Sequence, residues 1–143
     1  MAKRILVPLD QSDEARSALP IVADLARGSG ATVRLLHVAP IPHERVTAEG
    51  RVVAYANQEM ERVEQDRQGY LRTAAPELEG VPVERVVRFG DPAEEIVLEA
   101  EAFGADLIAV TTRGRGWLRH ALGGVIGKLF RRSDVPVLLL GAR

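Results

Sequence analysis

The sequence predicts a single α/β domain over residues 1–143, built on a doubly wound, five-stranded parallel sheet. Three observations predict it. Five strand-length runs rich in Val, Leu and Ile alternate with longer segments of helical period. Three of those runs are nearly continuous apolar stretches, as strands covered on both faces require. Helix start and stop signals fall between the runs, where crossover helices belong.

In chain order, the first strand is Arg4 to Val7, ending in Pro8-Leu9-Asp10. Leu19, Val22 and Leu25/Ala26 then repeat at three to four residues, the period of a helix, and Gly28 and Gly30 end it. Thr32 to Val38 is the second strand. Residues 39–50, with two prolines and a glycine, read as a long loop, either a flap over a site or a surface loop. A second helix carries Val53, Ala56, Met60, Val63 and Tyr70/Leu71, and Pro82 to Val87 is the third strand. Asp91-Pro92-Ala93-Glu94 opens a third helix with a capping carboxylate, proline at the first helical position and glutamate at N3; Gly104 closes it. Asp106 to Val110 and Val135 to Leu140 are the last two strands, with a helix patterned on Leu122, Ile126 and Leu129/Phe130 between them.

Composition excludes several classes. The absence of cysteine rules out disulfides, thiolate chemistry and Cys-based metal sites, and is consistent with a reducing compartment. The run Ile5 to Leu9 stops at Asp10, too short for a signal-peptide core, and no run reaches the roughly 18 apolar residues of a spanning helix. A cytoplasmic protein is expected. Formal net charge is −1, yet residues 111–132 hold six Arg or Lys and no acid. Without those six the chain would carry 13 basic against 20 acidic residues. Such local concentration points to a small anion or one specific surface as partner, and away from nucleic acid and membrane.

In open α/β sheets ligands bind beyond the carboxyl ends of strands, at the switch point where neighbouring connections leave to opposite faces. That rule selects Pro8, Leu9 and Asp10 after the first strand, His37 and Val38 at the end of the second, and Val110, Thr111 and Thr112 at the end of the fourth. Arg113, Gly114, Arg115 and Gly116 follow as an anion cradle: the glycines let backbone approach a ligand and the arginines supply charge-assisted donors. Gly123 and Gly124 sit where the last helix begins, so its free N–H groups and dipole would face a bound anion. Gly123 to Leu129 only hints at a Walker A loop, because leucine stands at 122 and 129 where glycine and Ser/Thr are needed. Asp10 also has the simpler reading of a cap for the following turn, shared with Ser12 or Asp13. His37 reads as structural, and Trp117 as a local anchor of the basic loop.

Over essentially the whole length these features resemble the universal stress proteins. The resemblance is carried by Ile5 to Ser12, Leu35 to Val38, Gly90 to Ile96, Ala105 to Val110, the Gly-Arg loop and Val135 to Leu140. It implies a flavodoxin-type, adenine-nucleotide-hydrolase-like sheet of strand order 3-2-1-4-5 and a homodimer built on the last strand through Val135, Val137, Leu138 and Leu139. An apolar edge strand needs such cover, and Pro136 suits an edge. One branch of the family binds ATP through glycine, two residues, glycine, nine residues, then glycine and Ser or Thr. Gly114 and Gly124 match the second and third glycines. Thr111 replaces the first glycine and Val125 replaces the hydroxyl residue. The resemblance also assigns Asp10 and the Val38 backbone to the adenosine side.

The expected function is therefore a regulatory homodimer binding ATP, ADP or AMP, with Mg²⁺ when triphosphate is present, weakened by Thr111 and Val125. Losing a hydroxyl contact to phosphate costs roughly 1.5–3 kcal/mol, on the order of ten- to a hundredfold in affinity. The alternative is an interaction scaffold of the same fold that binds no nucleotide. An enzyme is not expected. No aspartate lies two residues after Asp10 for phosphoaspartyl chemistry, and there is neither a nucleophile elbow nor a metal-ligand cluster.

Overall fold

The computed structural model describes residues 3–42, 45–46, 48, 50, 52–54, 56–111 and 124–140. Arg4–Pro8 (β1), Thr32–Ala39 (β2), Val83–Phe89 (β5), Leu107–Thr111 (β6) and Val137–Leu140 (β7) form one sheet in the order β5-β2-β1-β6-β7. Every pairing in it is parallel. This is the order 3-2-1-4-5 expected from the sequence. Between the strands lie Asp13–Arg16 (α1), Leu19–Ser29 (α2), Ala56–Arg72 (α3), a 3-10 turn Ala75–Leu78, Pro92–Phe103 (α4) and Val125–Arg132 (α5).

Right-handed crossovers on a sheet whose order reverses at β1 put α2 and α3 on one face and α4 and α5 on the other. Side chains confirm it. His37 meets Tyr70 of α3, whereas Arg34, an odd number of residues earlier on β2, meets Glu99 of α4. The central strands are covered on both sides: Ile5, Leu6, Val7, Val33, Leu35, Leu36, Ile108, Ala109 and Val110 are all at most 1 % exposed. Each fully buried Leu or Ile contributes roughly 1.5–3 kcal/mol, which explains the unbroken apolar runs of β1 and β6.

Several local expectations change. The single first helix is two pieces, because Pro20 lacks an N–H for the carbonyl four residues back and helix restarts at Leu19 with Pro20 in its first turn. Gly28 lies inside α2; Gly30, at φ 70°, is the residue in left-handed conformation that ends it. Segment 39–50 is not all loop: Ala39 closes β2, and Arg45–Val46 (β3) pairs antiparallel with Val52–Ala54 (β4). Val53 therefore belongs to a strand and not to the second helix, which starts at Ala56. Its valines suit either element, and pairing decides it. The last helix begins at Val125, directly after Gly124, with Leu122 and Gly123 outside the described residues, and the last strand begins at Val137, since Pro136 has no N–H to give and contributes its carbonyl to the Ile108 amide at 2.9 Å.

At the amino edge, Asp106 Oδ2 accepts the N–H groups of Lys3 and Arg4 at 2.9 and 3.0 Å. Those bonds hold its carboxyl below the ordinary aspartate range. On the α4 face of β2 and β5 an ionic network joins the two strands to the helix. Glu99 bonds Arg34 at 2.5 Å and Arg88 at 2.7 Å; Glu84 pairs with Arg34 at 2.7 Å and Glu95 with Arg88 at 3.1 Å. Arg34 also lies 4.1 Å above the Phe103 ring. No helix among the described residues is long and apolar enough to cross a membrane.

Candidate nucleotide crevice

The carboxyl edge is where the sheet stops pairing, and the Asp10 turn shows how. Pro8 pairs with Leu36 at the end of β1, Leu9 donates its N–H to the Leu36 carbonyl at 2.8 Å, and Gln11 then takes a left-handed φ of 69°. Asp10, only 7 % exposed, accepts the Ser12 N–H at 3.0 Å and the Ser12 hydroxyl at 2.5 Å through Oδ1. Ser12 Oγ in turn accepts the Ala15 N–H at 3.0 Å and caps α1. The capping role considered for Asp10 is thus present and is shared with Ser12.

His37 reaches across this turn. Its Nδ1 lies 2.8 Å from the Leu9 carbonyl oxygen. A carbonyl can only accept, so Nδ1 carries the proton. Burial holds the imidazole below the usual histidine range and so neutral, reinforced by Arg67 and opposed by the Leu9 bond and by Asp10 and Asp66. Tyr70 stands edge-on to His37 at 6.0 Å, and burial pushes its hydroxyl up to about 12. That hydroxyl faces the Gln11 N–H without reaching hydrogen-bond geometry. Helical period identifies Tyr70 as a core residue of α3, but nothing in the sequence marks its position under the Asp10 turn.

The site residues predicted from the sequence fall into two groups. Pro8, Leu9, Asp10, Val38, Val110 and Thr111 are all buried at the carboxyl ends of β1, β2 and β6, and β1 and β6 are neighbours. Gly124 caps α5 with Val125 as its first residue. Because α5 returns antiparallel to the sheet between β6 and β7, its amino end sits at this same edge. Lys128, one turn in, lies 4.0 Å from Asp91, the cap of α4 after β5. No acidic residue occupies the first turn of α5, and among the described residues no side chain caps it. Val125 is 9 % exposed, so its side chain belongs to the core. Thr112, Arg113, Gly114, Arg115 and Gly116, together with Trp117, lie outside the described residues.

Among the described residues no group of three or more His, Asp or Glu could hold a metal ion. Among the described residues, the set at this edge comprises backbone donors and acceptors, the Thr111 hydroxyl, a helix amino end and one engaged carboxylate. That chemistry suits a phosphorylated, hydrogen-bonding ligand better than a resident metal.

Known proteins share this fold. Residues 1–141 match the profile of the universal stress protein family. A universal stress protein of Thermus aquaticus is 33 % identical over 143 residues, covering 98 % of this chain and 99 % of that one. Universal stress protein MJ0577 of Methanocaldococcus jannaschii is 32 % identical over 154 residues, covering 98 % and 95 %. The solved structure of MJ0577 superimposes with a TM-score of 0.79 at 29 % identity, covering 99 % of this chain and 96 % of that one. Two more distant structures share the fold, with TM-scores of 0.65 and 0.61 at 20 % and 22 % identity. One is a universal stress protein in complex with cAMP, covering 98 % and 97 %; the other is that of Archaeoglobus fulgidus in complex with dAMP, covering 96 % and 96 %. With its full-length profile match and its sheet order, this chain belongs to the universal stress protein family.

Proposed function

We propose that this protein is a cytoplasmic regulatory homodimer that binds an adenine nucleotide in the crevice beyond β1 and β6. One observation carries the reading: the Asp10 turn and the amino end of α5, which no side chain caps among the described residues, flank the same carboxyl edge, on the strands at which the sheet order reverses. Adenine nucleotides bound to the two family members described as cAMP and dAMP complexes support the ligand class.

Val38 offers the base its backbone, Asp10 the ribose side, and the Gly124–Val125 amides with the helix dipole the phosphates. Thr111 and Val125 withhold the backbone approach and the hydroxyl that a strong ATP site would have, so binding is weak. Mg²⁺ would arrive with a triphosphate, held by its oxygens. The protein acts by binding, with at most slow incidental hydrolysis. Dimerisation uses β7, the sheet edge, where Leu139 is 37 % exposed.

The test is calorimetric titration of purified protein with ATP, ADP and AMP, with and without Mg²⁺, alongside chromatography of any nucleotide released on denaturation. Saturable heats, or nucleotide carried through purification, support the reading. Silence in both would replace it with the scaffold of the same fold.

A further inference from the structure

The β1–β2 ladder stops one rung before its register requires. Thr32 donates to the Lys3 carbonyl at 2.9 Å and Leu9 to the Leu36 carbonyl at 2.8 Å, so the even-numbered residues of β2 bond toward β1. The next rung of a parallel ladder would join the Val38 N–H to the Leu9 carbonyl and the Gln11 N–H to the Val38 carbonyl. Neither bond forms among the described residues. Nor does β5 supply them. Val33 donates to the Pro82 carbonyl and Gly90 to that of Ala39, so odd-numbered residues of β2 bond toward β5. What occupies the Leu9 carbonyl is His37 Nδ1, at 2.8 Å, and Gln11 has turned its N–H toward Tyr70.

We infer that His37 is a positioning residue for the adenine end of the crevice: its ring takes the Leu9 carbonyl in place of the Val38 amide, leaving the Val38 N–H and C=O directed at the ligand. This rests on the nucleotide reading above. Leu9 is fully buried, so its carbonyl must be paired inside the protein. If residue 37 could not donate, the nearest available partner would be the Val38 N–H, and pairing it would close the rung. Adenine presents an N6–H donor beside the N1 acceptor, the complement of one residue's adjacent carbonyl and amide. Nearly all buried backbone groups in proteins are paired, so an open pair at a strand end marks where a ligand or water completes the sheet. The neutral ring held by burial, with its proton on Nδ1, suits His37 to this task.

Two variants separate the parts. His37→Leu removes the donor, whereas His37→Asn keeps an N–H where Nδ1 stands. Amide hydrogen exchange on the ligand-free protein reads the ladder directly. The Val38 amide should exchange faster than that of Leu36 in the wild type, slow by about tenfold in His37→Leu as the rung closes, and keep its rate in His37→Asn. By calorimetry, AMP and ATP should bind about tenfold more weakly to His37→Leu and like wild type to His37→Asn, with tripolyphosphate unaffected. A Val38 amide as protected as Leu36 in the wild type overturns the inference, as does His37→Leu with undiminished adenine affinity. Wild-type protein that binds no adenine nucleotide while the Val38 amide exchanges fast overturns the proposed function and leaves the open rung standing. If His37→Leu does not fold, wild-type exchange and the asparagine variant still decide the matter.

Discussion

Glu99 of α4 lies 2.5 Å from Arg34 of β2 and is only 4 % exposed, a charge pair that ties the helix to the sheet. Removing one partner of a buried pair costs more than the pair itself contributes, because the other charge is left desolvated. Glu99→Gln should lower unfolding free energy by about 3 kcal/mol, the low end of the usual range, since Arg34 and Arg88 each keep a second carboxylate. Urea denaturation followed by circular dichroism measures this. A loss below about 1 kcal/mol would mean the pair is solvated like a surface bridge.

Acid should destabilise the protein through His37. Its folded form resists protonation because the ring is buried, while the unfolded chain takes up a proton near pH 6.5. Below that value the unfolded state binds more protons, so the stability His37 supplies is complete above pH 6.5 and is lost as pH falls toward the lowered folded value. The groups that bear on the ring are Arg67, Asp10 and Asp66. The drop in denaturation midpoint between pH 7.5 and 5.5 should be smaller in His37→Asn than in wild type, and equal drops would assign the acid sensitivity elsewhere.

Val125→Ser should act in opposite directions on binding and stability. The new hydroxyl, at the first residue of α5, should tighten ATP about tenfold. Replacing a side chain that is 9 % exposed should cost roughly 1.5 kcal/mol of folding free energy. Calorimetry and thermal melts of the same preparation check both, and a stable variant with unchanged affinity would remove residue 125 from the phosphate site.

Leu139→Asp should split the proposed dimer. The side chain is already 37 % exposed in the single chain, so the substitution should leave the fold intact while placing a charge in the strand-to-strand contact. Light scattering after gel filtration should show a monomer with an unchanged circular dichroism spectrum, and a mutant that remains dimeric would locate the interface away from β7.

The fold was legible because its signals are local and repeated. The apolar runs of β1 and β6 can only be central strands, and the Asp91-Pro92 cap works as read, with Asp91 accepting the Glu94 N–H at 3.1 Å. Elements whose boundaries depend on distant partners were harder. Val53 carries the same β-branched side chain in a helix or a strand, and it is the pairing of β4 with β3 that settles its place. The placement of the candidate residues at neighbouring strand ends was legible, through the rule for open sheets. The pairing of His37 with the Leu9 carbonyl was not, because it joins residues 28 apart in the chain across a bend that only the left-handed φ of Gln11 reveals.

The charges on the α4 face of β2 and β5 also act as a key for strand alignment. Arg34 stands opposite Glu84, with Val83 and Val87 pointing to the α3 side. Sliding β5 by a single residue would set Val83 or Arg85 against Arg34 in place of Glu84 and carry Glu84 and Arg88 under α3, parting Arg34 and Glu99 from their strand partners. An outer strand joined to the sheet along one edge is thereby held to a single register during folding.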